Sequence, residues 1–142
     1  MIETSRYIVS GYLGSRANGD VVAAFVERAR QINSDIIYIC DPVMGDSNLG
    51  VFVADQVVEC ICNELVPLAG VLTPYQFEVR LIARGQPWNW TQLDATVRQI
   101  QMLRNARLVV TGCTLDHTPN GSLENIVFEE DLLQTFRQLA LR

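Results

Sequence analysis

Four short apolar runs constrain this chain more than anything else in it: RYIVS from Arg6 to Ser10, DIIYIC from Asp35 to Cys40, GVLTP from Gly70 to Pro74, and RLVVT from Arg107 to Thr111. Each has the length of a strand and is rich in β-branched residues, and each ends beside a Gly, Asp or Pro. Such runs suit strands buried on both faces of a parallel sheet. Between them the period changes. Val22, Phe25, Val26, Ala29 and Ile32 predict a helix over Asp20 to Ile32, and Val57, Val58, Ile61, Cys62 and Leu65 predict a second. Phe77, Leu81 and Ile82 mark a short helix ending near Gly85. Leu93, Val97, Ile100 and Leu103 mark a longer one, with Thr91 and Asp94 spaced as its capping box.

After Gly112 the stretch TLDHTPNGS is turn-rich. LENIVF, from Leu123 to Phe128, predicts an edge strand, and Leu132, Leu133, Phe136 and Leu139 predict a terminal helix. Strands alternating with helices imply right-handed βαβ units. The expected fold class is therefore α/β, a three-layer α/β/α arrangement around a mostly parallel sheet, with residues 1–142 as a single domain.

Composition narrows the function classes. With 49% hydrophobic residues in 142, the chain can bury a sizeable core. Eleven Lys and Arg against 16 Asp and Glu give a formal charge of −5, which disfavours nucleic acid as a partner. Cys40, Cys60, Cys62 and Cys113 lack paired metal-ligand spacing and read as buried thiols of a cytoplasmic protein. No run approaches the roughly 18 apolar residues that span a bilayer, so no membrane association is expected.

In parallel sheets ligands sit beyond the C-terminal strand ends. Those ends carry Gly11 and Tyr12, Asp41 and Asp46, Thr73, and Thr111. Any one alone is more often a turn residue, but several in register bring the site reading level with the turn reading. In DPVMGD, Pro42 fixes a backbone angle and Gly45 permits a sharp turn, holding Asp41 and Asp46 near one another. Hard carboxylate oxygens suit Mg²⁺ together with substrate phosphates; solvated turn acids are the plainer alternative. Glu78 adds a third acid at the start of the helix after LTPY, where the helix dipole alone favours a negative charge.

Taken together, SGYLGS, CDPVMGD, VPLAGVLTPYQFE and LVVTG, in this order and at these separations, closely resemble the pyridoxal kinases of the ribokinase-like superfamily. The resemblance implies ATP-dependent phosphorylation of pyridoxal to pyridoxal 5′-phosphate, with Mg²⁺ and a monovalent cation. It places Asp46 and Glu78 in the Mg²⁺ shell, Asp41 and Thr73 in the phosphate and monovalent-cation environment, and Thr111 with Gly112 at the ATP phosphates. Tyr12 would lie beside the pyridine ring, and Phe52 falls where the family often has an aromatic residue over the substrate. Pairing of two chains is also implied.

The chain departs from the family pattern in three ways. Tyr75 stands where the T-P-N-x-x-E pattern has its Asn near nucleotide and metal, and a phenol does not reproduce a carboxamide's donor and acceptor. The family's N-terminal substrate region and its C-terminal G-T-G-D segment, which carries the catalytic base, have no counterpart here, so the fold is expected to be truncated at both ends. Asp116 in TGCTLD is not assigned that role. The isolated chain is expected to be inactive, because losing a general base typically costs about 10²- to 10⁴-fold. Two further readings stay open: a non-catalytic kinase remnant that binds nucleotide weakly or assembles with a full-length kinase, and a fragment of a sugar or hydroxymethylpyrimidine kinase.

Overall fold

The computed structural model describes residues 4–84, 89–104, 106–128 and 133–139. Strand β1 (Tyr7–Ser10) leads to helix α1 (Arg16–Ile32) and strand β2 (Ile37–Cys40). A small hairpin follows, β3 (Gly45–Asp46) with β4 (Gly50–Val51). Next come α2 (Asp55–Cys60), a π-helical turn (Ile61–Leu65) and α3 (Val66–Leu68). Then β5 (Val71–Leu72), α4 (Gln76–Ala83), α5 (Trp90–Arg104), β6 (Arg107–Cys113), β7 (Ser122–Phe128) and β8 (Leu133–Leu139) complete the chain.

The main sheet runs β1-β2-β5-β6-β7-β8. The first three pairings are parallel and the last two antiparallel. Because the parallel strands lie side by side in chain order, right-handed crossovers stepping one way place the connecting helices on one face. Register partners agree with this: Cys40, Leu72, Leu108 and Phe128 are paired in succession and all buried. On the opposite face Tyr7, Val9 and Ile37 are exposed. The described residues thus supply one helical layer against a mostly parallel α/β sheet.

Helix α1 begins earlier than its apolar stripe, because Ser15 accepts the Asn18 N–H at 3.3 Å and caps the first turn. Buried Gly19 lets this helix approach α2: a Cβ there would lie 2.4 Å from the Cys60 sulfur. The segment from Asp55 to Leu68 stays helical but widens into the π turn just before Pro67, whose ring nitrogen has no hydrogen to donate to the turn before it. Arg84, in the left-handed conformation at φ 52°, ends α4; Gly85 lies outside the described residues.

Three expectations are corrected. Leu133–Leu139 is not a helix but strand β8, antiparallel to β7 over its whole length; Leu132 lies outside the described residues. The physical reason is a cross-strand pair, since Glu124 faces Arg137 and is fully buried, with the Arg137 guanidinium bonded to it at 2.7 and 3.1 Å. Accordingly β7 is an interior strand rather than an edge. The cap of α5 is Asn89 with Gln92, each side chain accepting the other's backbone N–H at 2.9 and 3.3 Å. Asp94 instead pairs with Arg98 one helical turn on, at 2.9 Å.

Cys40, Cys60 and Cys113 are buried and Cys62 half-buried, all as free thiols. Among the described residues no helix is long and apolar enough to cross a membrane.

Candidate functional site

The C-terminal ends of the four parallel strands share one edge, joined by their own backbone bonds. Asp41 N–H donates to the Ser10 carbonyl at 3.0 Å, Thr73 N–H to Cys40 at 3.1 Å, and Thr111 N–H to Pro74 at 2.9 Å. Asp41 therefore sits directly beyond β2 and Thr73 beyond β5. The Thr73 hydroxyl bonds the Asp41 carboxylate; partial burial raises the acid's pKa, and this bond opposes the rise.

Glu78 is buried in the first turn of α4. Its Oε1 accepts the Met44 N–H at 2.8 Å, its Oε2 accepts the Tyr75 N–H at 2.8 Å, and the Gly45 N–H also bonds the carboxylate. Burial raises its pKa despite these three bonds, and nearby Asp41 raises it further. Glu78 thus caps its own helix and pins the β3–β4 hairpin to it. The hairpin needs Gly45 for this approach, because a Cβ there would fall 2.4 Å from the Gly50 carbonyl and 2.7 Å from the Phe77 ring.

Asp46 follows immediately. Its Oδ1 accepts the N–H groups of Asn48 and Leu49 at 2.7 and 2.6 Å, which closes the hairpin turn and fixes the carboxylate. Both bonds go to Oδ1, leaving Oδ2 as the oxygen available to a further ligand. The hairpin that carries Asp46 is thereby tied to Glu78 through Met44 and Gly45, and Asp41 lies near enough to Glu78 to act on its charge. Among the described residues these three carboxylates do not form a cluster within 4.8 Å of one another. Hard carboxylate oxygens of this kind are the donor type a hydrated divalent cation takes, through its waters where the carboxylates stand apart.

Thr111 and Gly112 lie within β6 rather than after it, because the strand continues to Cys113. They form a bulge where the register against β7 shifts, with Gly112 at φ +62°. Tyr75 forms a parallel bridge with Thr111, and its ring rests on Gly112. Burial raises the Tyr75 pKa, with Asp46 and Glu78 among the charges that add to the rise. Tyr12 and Phe52 are 65% and 45% exposed, presenting ring surface instead of joining the core. Asp116 is on an exposed turn 3.7 Å from His117.

Two participants went unnoticed in the sequence. The Asn125 side chain accepts the Gly112 N–H at 3.1 Å, and the Gln76 side chain accepts the Thr114 N–H at 2.8 Å. Nothing local marks either residue, because both contacts depend on strand register. Among the described residues, the group whose potential metal-ligand atoms all lie within 4.8 Å of one another is Asp20, Cys60 and Glu64. Arg16 already bridges Asp20 and Glu64 there, which makes it an ion-pair triad.

The family model described as phosphomethylpyrimidine kinase matches residues 6–142. The chain belongs to this family. Among curated relatives, the pyridoxal kinase PdxY of Granulibacter bethesdensis is 34% identical over 126 residues, covering 86% of this chain and 44% of the relative. The enzyme of the same name from Leifsonia xyli is 30% identical over 123 residues, covering 87% of this chain and again 44% of the relative. The chain thus spans less than half the length of these relatives.

Solved structures share the fold. Pyridoxal kinase from Entamoeba histolytica superposes with a TM-score of 0.82 at 16% identity, covering 96% of this chain and 48% of that one. Plasmodium falciparum PdxK, crystallised with AMP-PNP and PL, gives 0.79 at 19% identity, covering 99% and 52%. Phosphomethylpyrimidine kinase from Clostridium difficile gives 0.75 at 20% identity, covering 95% and 56%. The expectation of a ribokinase-like α/β fold is met.

Proposed function

We propose that this chain forms the nucleotide and magnesium side of an ATP-dependent kinase for pyridoxal-type alcohols. The observation that carries the reading is the Glu78 carboxylate, bonded to the backbone of the hairpin that carries Asp46. Asp46 and Glu78 would hold Mg²⁺, directly or through its waters. Bound there, the ion would neutralise phosphate charge, the main requirement of phosphoryl transfer.

The chain's own residues do the positioning. Asp41 and Thr73 form a hydrogen-bonded pair at the adjoining strand end, suited to a monovalent cation and the phosphates it accompanies. Thr111 and Gly112 line the next strand end, where ATP phosphates would pass. Tyr12 and Phe52 offer aromatic surface to a pyridine ring. Removal of the proton from the acceptor hydroxyl is assigned to no residue of this chain. A cytoplasmic setting and pairing of two chains belong to the same reading.

The family model and the Clostridium difficile structure support a second reading, in which the acceptor is a hydroxymethylpyrimidine. The names of the curated relatives favour pyridoxal. Calorimetric titration with ADP tests the shared nucleotide claim: binding should require Mg²⁺ and weaken in Asp46→Asn. Equal heats with and without Mg²⁺ would contradict it. Competition by pyridoxal against hydroxymethylpyrimidine for the loaded protein then separates the two acceptors.

A further inference from the structure

We propose that Tyr75 and Gln76 form a built-in plug over the phosphate end of the nucleotide site, which a nucleotide must displace in order to bind. The proposal rests on the kinase reading above and adds to it a determinant of affinity.

The argument begins with backbone donors. A strand end that receives phosphate does so by presenting free N–H groups. At the end of β6 these donors are engaged internally. Thr111 N–H bonds the Pro74 carbonyl at 2.9 Å, Gly112 N–H bonds Asn125 Oδ1 at 3.1 Å, and Leu115 N–H bonds Thr118 Oγ1 at 2.9 Å. Thr114 N–H is taken by Gln76 Oε1 at 2.8 Å, although Thr114 itself is exposed and a solvent-borne ligand can reach it.

Steric closure adds to this. A Cβ placed on Gly112 would lie 1.8 Å from Cε2 and 2.6 Å from Cδ2 of Tyr75, so the ring lies flush against the Gly112 backbone. The Tyr75–Thr111 bridge anchors that ring at its own backbone. An anion approaching the bulge therefore meets a phenol ring in front of Gly112 and a carboxamide in front of Thr114, contributed by consecutive residues.

These contacts differ in how readily they yield. The Pro74 bond is fixed by the strand pairing, and Asn125 projects from the interior strand β7. Gln76 is a half-buried side chain with rotatable torsions at the first position of α4, so it can swing aside without disturbing the sheet. A phosphate oxygen that replaces it makes a charge-assisted bond, roughly twice as strong as the neutral one it displaces. The ligand class is the polyphosphate chain of a nucleotide, and the cost of displacement appears as weakened affinity.

Calorimetric titration of Mg-ADP into the wild-type chain, Gln76→Ala and Tyr75→Asn tests this. Releasing one neutral hydrogen bond should tighten binding about fivefold in Gln76→Ala, with a gain of similar size in Tyr75→Asn. Gln76→Ala touches no core packing, so the test survives should Tyr75→Asn unfold. Hydrogen exchange at the Thr114 amide supplies a readout independent of affinity: it should quicken in Gln76→Ala and slow again when Mg-ADP is added. Equal or weaker affinity in the variants, with measurable wild-type binding, overturns the plug and leaves the nucleotide reading standing. Absence of binding in all three proteins overturns both.

Discussion

Glu78 Oε1 accepts the backbone N–H of Met44 at 2.8 Å across 34 residues of chain. This bond ties the start of α4 to the hairpin that carries Asp46. It converts a helix-capping acid into a residue that sets the geometry of the ligand edge. Removing it should cost stability as well as binding. Glu78→Ala leaves the N–H groups of Met44, Gly45 and Tyr75 without their acceptor, and the loss should be about 2–4 kcal/mol in urea unfolding. Glu78→Gln keeps one carbonyl oxygen and should lose less than half of that.

Buried acids should give this protein two opposed responses to acid. Burial, offset by the bonds from Arg137 and Thr118 and by the nearby charges of His117 and Arg137, leaves the Glu124 pKa below its ordinary value of 4.5. A lowered folded value means that the native state gives up its proton more readily than the unfolded chain. Its contribution is present above about pH 4.5 and is lost as pH falls through the folded value. Glu78 and Asp41 have raised values, so their ionisation weakens the fold as pH climbs above their ordinary values. Urea midpoints measured against pH should show Glu124→Gln losing the acid-side fall, whereas Glu78→Gln loses the opposing trend.

Arg137 holds a carboxylate that has no exposure of its own. Arg137→Ala should cost about 1–3 kcal/mol, moderated because the Thr118 hydroxyl at 3.1 Å and His117 at 3.2 Å remain as partners. The affected region should be the β7–β8 pair, read out as faster hydrogen exchange in those two strands. Uniform quickening across the sheet would contradict this local account.

Gly112 is constrained twice, by its positive φ and by the Tyr75 ring against it. Gly112→Ala should cost about 2–3 kcal/mol, combining backbone strain with the ring's displacement. Tyr75→Ala should relieve the steric part only. A double-mutant cycle should then give a coupling of about 1 kcal/mol, whereas strict additivity would show that the ring does not press on that backbone.

The parallel strands were legible because their cause is local: β-branched runs of strand length broken by Gly, Asp and Pro, separated by helical stripes. The positions of the acids near the strand ends were legible for the same reason, since strand ends locate the segments that follow them: Asp41 directly after β2, Asp46 in the β3–β4 hairpin and Glu78 in the first turn of α4. Strand β8 was not, because Phe136 and Leu139 have helical spacing and only the distant Glu124 makes Arg137 a strand residue. The α5 cap was misplaced by two residues because Asn89–Gln92 and Thr91–Asp94 share one spacing, and only geometry chooses between them. Likewise Gln76 and Asn125 become significant only once the β6 bulge brings Gly112 and Thr114 within their reach.

The measurement that tests the central claim most directly is anomalous diffraction from crystals soaked with Mn²⁺ and ADP. The account predicts a manganese peak at the rim between the carboxylates of Asp46 and Glu78, with ADP phosphates adjoining it. A peak confined to the Asp20–Cys60–Glu64 cluster, or manganese and nucleotide bound far from the hairpin, would contradict it.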